Sequence, residues 1–211
     1  MLQGKRIAVT GASGALGTVV MQALAAAGAS AAGMPRGTDL SDAAVAAATL
    51  RAIAQKLGGL DALVNVAGGF GFGKVADGGA EPWELMHKSN LMTAVNATQA
   101  ALPLLGANGR IIYIGSASAA KAGVGMGPYA ASKAGIEKLT EALAAEVKDR
   151  TITVNAILPS VIDTPANRAD MPKADFSRWV QPQQVADLIV FLLSDRASAI
   201  TGALIPIVGR V

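Results

Sequence analysis

Two patterns of apolar residues alternate along the whole chain. RIAVT (6–10), LDALVNVAGG (60–69), GRIIYIGSAS (109–118), TITVNAILPS (151–160) and GALIPIVG (202–209) are short runs of mostly consecutive apolar residues. Such runs suit strands covered on both faces. ALGTVVMQALAAAG (15–28), LSDAAVAAATLRAIAQKLGG (40–59), EPWELMHKSNLMTAVNATQAALPLL (81–105), GPYAASKAGIEKLTEALAAEVKD (127–149) and QPQQVADLIVFLLSD (181–195) repeat their apolar positions at helical spacing. Gly28 stops the first helix, Ser41 N-caps the second and Gly58 ends it. Pro82 falls in the first turn of the third, where a missing N–H is tolerated. The alternation predicts an α/β fold with a single doubly wound parallel sheet, in one domain spanning residues 1–211. DTPANRADMPKADFSRWVQP (163–182) is the one long irregular stretch, longer than a simple connection requires.

Composition removes several kinds of chemistry. The chain has no cysteine, so disulfides, thiolate catalysis and cysteine-bound metal are excluded. Its one histidine, His87, has no companion at metal-ligand spacing, so no metal site is expected. The net charge of +3 rests on few ionisable groups, and no Lys/Arg cluster interleaves with aromatics, which argues against nucleic acid as a partner. The uncharged run between Arg6 and Arg36 imitates a secretory signal but is broken by TGASG. It also falls short of the about 20 continuous apolar residues that a membrane span requires. The uncharged run 89–109 contains Asn90, Asn96, Gln99 and Pro103, which fits a buried helix better than a span. No membrane partner is expected, and the chain is read as cytoplasmic.

Candidate chemistry concentrates at two places. VTGASGALG (9–17) joins the first strand to the first helix, where free backbone N–H groups and the positive helix end receive a dinucleotide pyrophosphate. Gly11 permits the tight turn, Gly14 admits the phosphate, and Gly17 allows the helix to approach the sheet; Ser13, Ala15 and Leu16 complete the cradle. The second place is PYAASKAG (128–135), which sets Tyr129 and Lys133 four residues apart on one helix face. An ammonium beside a phenol is expected to lower its pKa from about 10, making Tyr129 a proton donor or acceptor near neutral pH. Ser116, thirteen residues ahead of Tyr129, is placed to donate a hydrogen bond to the same substrate oxygen.

With these motifs in order, the chain resembles the short-chain dehydrogenase/reductase family from Lys5 to about Gly209. The resemblance implies a Rossmann-like NAD(P)-binding domain and the interconversion of a carbonyl and a secondary alcohol by hydride transfer. It assigns Tyr129, Lys133, Ser116 and Asn90 to catalysis, with Asn90 in a proton relay and Lys133 also on the cofactor ribose. NVAG (65–68) is similar to the family's N-N-A-G and brings Asn65, Ala67 and Gly68 beside the cofactor. DLSD (39–42) places Asp39 and Leu40 at the adenine. PSVIDT (159–164) matches P-G-x-x-x-T, with Ser160 in place of glycine, and sets Pro159, Ile162 and Thr164 at the nicotinamide. By the same resemblance the two long helices would pair across a two-fold axis as a homodimer or homotetramer.

The chain departs from the family between Gly28 and Asp39, where a strand, a helix and a second strand normally occupy roughly 30 residues. Here ASAAGMPRGT (29–38) stands alone, so an edge strand and its helix are expected to be missing or drastically shortened. This segment offers Arg36 and no acid before Asp39, which leans the cofactor toward NADP over NAD. NVAGGFG and the 163–182 segment also look like the dihydropteridine reductase branch, which lacks the serine supplied here by Ser116. A pterin reductase and a non-catalytic NAD(P)-binding sensor are therefore the alternative readings.

Overall fold

The computed structural model describes residues Met1–Val211. Six strands form one sheet: β1 (Arg6–Thr10), β2 (Ser30–Gly33), β3 (Leu60–Asn65), β4 (Leu105–Ile114), β5 (Thr153–Pro159) and β6 (Leu204–Ile207). Every pairing is parallel, and the order is β2-β1-β3-β4-β5-β6. The helices are α1 (Ala15–Ala26), α2 (Ala43–Leu57), α3 (Glu81–Met86), α4 (Thr93–Ala101), α5 (Gly127–Glu146), α6 (Pro165–Asp170) and α7 (Pro182–Leu193).

Alternate residues of each strand face opposite layers. Ile7, Val9, Val64, Ile112 and Ile157 pack against Val20 and Leu24 of α1 and Val185, Ile189 and Leu192 of α7. Ala8, Leu63, Ile111, Tyr113 and Val154 face Leu50 of α2, Ala97 of α4 and Ile136 and Leu143 of α5. Burial on both sides explains why the strands read as continuous apolar runs.

The shortening after α1 takes a definite form. A four-residue edge strand, β2, survives beside β1, and the chain then passes from Gly33 to α2 with no helix between. Several details differ from expectation. The N-cap of α2 is Asp42, whose carboxylate accepts from Ala44 N–H and Val45 N–H; Ser41 instead bonds Asp39. The predicted helix over 81–105 stops at Ala101, because Pro103 has no N–H to continue it, and Leu105 opens β4 opposite Leu60. Within that helix His87–Met92 widens into a π-helical turn, with the Thr93 hydroxyl donating to Lys88 O five residues back at 3.2 Å. The 163–182 stretch contains α6 and a short 3-10 turn, and it is closed at its base by the Ile162–Val180 bridge.

Candidate active site

Strand order reverses between β1 and β3, and ligands of such sheets settle beyond the carboxyl ends at that point. A groove of about 390 Å³ lies there, lined in part by Asp39, Leu40, Ala67, Gly68, Gly69 and Lys88. Asn96, buried in α4, anchors the Leu40 side of it by donating to Leu40 O at 3.1 Å and Ser41 O at 2.8 Å. Thr10 Oγ1 accepts from Ala67 N–H at 3.0 Å and joins the ends of β1 and β3.

The three glycines of the first turn have different reasons. Gly11 has φ +64°, and a Cβ there would stand 2.7 Å from Ala67 N. A Cβ on Gly17 would strike the Gly11 carbonyl oxygen and come within 2.8 Å of Ala12 Cα. Gly14 is different: its Cβ would meet only Gly11 O, at an ordinary 3.4 Å. The protein's own packing therefore requires Gly11 and Gly17 but leaves the surface over Gly14 free for a ligand. As N-cap of α1, Gly14 has no side chain to occupy the first-turn N–H groups, so this helix end is suited to an anion. Asn65, at the end of β3, is 4% exposed, and neither its Oδ1 nor its Nδ2 has a partner in the chain. A bare helix end and an orphaned buried amide fit a polar ligand spanning this edge.

Gly17→Ala is expected to destabilise the fold by about 3 kcal/mol or more, because backbone must move. Gly14→Ala should change stability by less than about 1 kcal/mol. Urea midpoints at unchanged m measure both.

The second cluster lies where β4 ends and α5 begins. Lys133, buried, donates from Nζ to Ile114 O at 2.8 Å, and the same Nζ lies 5.9 Å from the centre of the Tyr129 ring. Ser116 is buried just past β4. Asn90 is 1% exposed; its Oδ1 accepts from Gly69 N–H at 2.8 Å, and its Nδ2 donates to Gly69 O and Ser132 Oγ. Asn90 belongs to the π-helical turn, a distortion frequent at functional sites. A Cβ on Gly68 would stand 2.6 Å from Asn90 Oδ1 and 3.4 Å from Lys133 Nζ, so this glycine lets the loop, the amide and the ammonium meet.

The electrostatics correct one expectation. Burial raises the Tyr129 phenol above its ordinary value, and the opposing pull comes from the Ser116 side chain, not from Lys133. Lys133 is itself pushed down to about 8 by burial. Its charge is directed at the Ile114 carbonyl and partly lost to desolvation, so in this state it does not hold the phenol down.

Remaining candidates are placed as follows. Arg36 is exposed, three residues beyond β2, and Asp39 is engaged by Ser41 and, at 3.7 Å, by Lys88. Pro159 ends β5, Ile162 O accepts from Asn167 Nδ2, and Thr164 Oγ1 caps α6 by accepting from Asn167 N–H. Ser160, in the family's glycine position, donates to Val208 O at 2.8 Å. Arg168, a conceivable substrate ligand on charge alone, is taken by a two-pronged contact to Asp163, which holds that carboxyl down at about 2. Sequence reasoning missed Phe70, whose ring meets that of Tyr129 edge-on at 5.0 Å, and Ser118 beside Ser116. A pair of phenylalanines in a glycine loop (GGFGFG) was the available signal for the first.

A doubly wound sheet with a bare glycine turn at its reversal point, and a tyrosine–lysine–serine cluster at neighbouring strand ends, defines a dinucleotide-dependent oxidoreductase. A family model described as enoyl-(acyl carrier protein) reductase matches residues 1–209. The 3-oxoacyl-(acyl-carrier-protein) reductase FabG of Pseudomonas aeruginosa is 35% identical, with 99% of this chain and 97% of the relative covered. That alignment runs over 243 positions against 211 residues here, as a shortened chain requires. A cyclic-di-GMP-binding biofilm dispersal mediator protein of Escherichia coli is 34% identical over 72% of this chain and 68% of its own. Among solved structures, a Burkholderia cenocepacia short chain dehydrogenase in complex with NADP superposes with TM-score 0.89 at 30% identity, covering 99% of this chain and 98% of that one. The chain belongs to the short-chain dehydrogenase/reductase family and is an oxidoreductase of that family.

Proposed function

We propose that this enzyme interconverts an apolar carbonyl compound and its secondary alcohol with NADP(H). The observation that carries the reading is a linked cluster: Asn90 and Lys133 meet at Gly68, Lys133 Nζ lies 5.9 Å from the centre of the Tyr129 ring, and the Ser116 side chain acts on the Tyr129 phenol. The backbone of Ser13, Gly14, Ala15 and Leu16 would hold the pyrophosphate, Asp39 and Leu40 the adenine side, and Asn65, Ala67 and Gly68 the middle of the cofactor. Lys133 would hold the nicotinamide ribose, and Pro159, Ile162 and Thr164 the nicotinamide. The dinucleotide supplies the hydride when bound, or accepts it in the reverse direction.

The chain's own residues manage the proton. Ser116 Oγ donates a hydrogen bond to the carbonyl oxygen as negative charge grows there. The Tyr129 hydroxyl gives that oxygen its proton, and in the reverse direction takes it back. Asn90 and Lys133, which meet at Gly68, lead toward the replacement proton. The buried serine beside Tyr129 favours this chemistry over pterin reduction.

The rim of the site favours an apolar substrate. Phe70 and Phe72 are 60% and 59% exposed, Val124 is 83% exposed, and the two loops that carry them are tied by Gly73 N–H donating to Gly125 O at 2.8 Å. Residues 66–73 and 122–132 contain no charged side chain. Exposed apolar groups gathered at a site entrance suit a substrate with apolar or aromatic substituents. Trp83 and Leu85 of α3 are exposed apolar side chains, which favours pairing with a second copy through this face.

Fluorescence titration with NADPH and NADH, followed by a panel of aryl and alkyl ketones, tests the reading. Arg36→Ser is expected to weaken NADPH about tenfold and leave NADH within about twofold. Equal hydride-transfer rates with both cofactors in the unaltered enzyme would remove the preference for NADP.

A further inference from the structure

Ser118 lies on the 3-10 turn Ala117–Ala119, directly after Ser116 has left β4. Its Oγ is 2.7 Å from Ser116 Oγ, and its backbone N–H donates to that same oxygen at 3.2 Å. A serine hydroxyl has one proton and two acceptor positions. The Ser118 N–H takes one acceptor position of Ser116, and the hydroxyl contact takes either the second position or the only proton. If Ser116 gave its proton to Ser118, none would remain for the reacting oxygen. If Ser118 is the donor, both acceptor positions of Ser116 are filled, and its one proton must point away from Ser118.

We propose that Ser118 is a positioning residue: its hydroxyl donates to Ser116 Oγ and so fixes Ser116 as an obligate donor toward Tyr129 and the substrate oxygen. The inference rests on the catalytic reading above. Ser118 is half-buried, so water reaches its own acceptor positions while its proton is used inward. The Ser116 side chain is the group that acts on the Tyr129 phenol, so a Ser116 proton turned away from Ser118 has an acceptor there.

The chain offers a substrate-free test, because Tyr113 and Tyr129 are its only tyrosines. Tyr113 is fully buried against Thr98 and pushed far up by burial, so the earlier phenolate transition in an ultraviolet pH titration of this 211-residue chain reports Tyr129. Tyr129→Phe should remove that transition. Ser118→Ala should move it upward by about one pH unit, since Ser116 becomes free to accept from the phenol, and Ser118→Thr should restore it. An unmoved or lowered midpoint in Ser118→Ala would overturn the proposal, the lowered one by showing that Ser116 had been donating to Ser118. Turnover retained by Tyr129→Phe would instead defeat the catalytic reading and the inference with it. An inactive Tyr129→Phe combined with an unshifted Ser118→Ala defeats the inference alone.

Discussion

Replacing Tyr129 with phenylalanine is expected to lower turnover by roughly 10²–10⁴-fold, the usual contribution of a positioned proton donor. NADPH affinity should stay within about twofold, since the change deletes one oxygen and keeps the ring. The edge-on packing against Phe70 at 5.0 Å needs only that ring, so the fold should not change either. Single-turnover reduction of an aryl ketone, with NADPH binding followed by fluorescence, separates the two quantities. A variant that binds and still turns over at the parent rate would shift the assignment away from this hydroxyl. A parent protein that binds NADPH but reduces no carbonyl would favour a dinucleotide sensor.

Lys133→Met should make the protein more stable and at the same time nearly inactive. The ammonium is buried with a backbone carbonyl as partner and no carboxylate, and its pKa falls from 10.5 to about 8 through desolvation. The unfolded chain therefore binds more protons than the folded one between about pH 8 and 10.5. Stability contributed at this site rises with pH across that window, and the full cost is present below it. At pH 7 the shift corresponds to about 3 kcal/mol, offset by about 1 kcal/mol when methionine leaves Ile114 O unpartnered. A net gain of about 2 kcal/mol is expected from urea unfolding at pH 7, crossing zero before pH 10.5 and becoming a loss of about 1 kcal/mol at higher pH. Turnover should fall by about 10²-fold or more, because ribose placement and proton supply are lost together. Loss of stability in this variant would mean that the buried charge is better compensated than its single carbonyl partner suggests. A gain would mean that the site is held at a cost in stability, as functional sites often are.

Local chemistry made much of this legible. Five strands announced themselves because burial on both faces demands unbroken apolar runs. The missing unit after α1 was readable from chain length alone, since ten residues cannot form a strand, a helix and another strand. The glycine turn and the tyrosine–lysine spacing were readable because each imposes a fixed offset along the chain. The N-cap of α2 was misplaced by one residue because Ser41 and Asp42 are both competent acceptors. The choice fell to Asp39, whose carboxylate occupies the Ser41 hydroxyl. The π-helical turn around Asn90 was hidden, since apolar spacing does not reveal whether a backbone bond closes over four residues or five.

The sequence by itself determined a parallel, doubly wound sheet, the glycine turn at its first strand–helix junction, and the four-residue offset of Tyr129 and Lys133 on one helix. Those follow from short-range rules of period, conformational freedom and spacing, which act between residues close in the chain. Tertiary structure decided what the groups experience. It directed Lys133 at a carbonyl in the dry interior, gave Arg168 to Asp163, set Ser118 behind Ser116 and brought Phe70 against Tyr129. Desolvation and through-space charge depend on what surrounds an atom in three dimensions, and the order of residues along the chain does not record it.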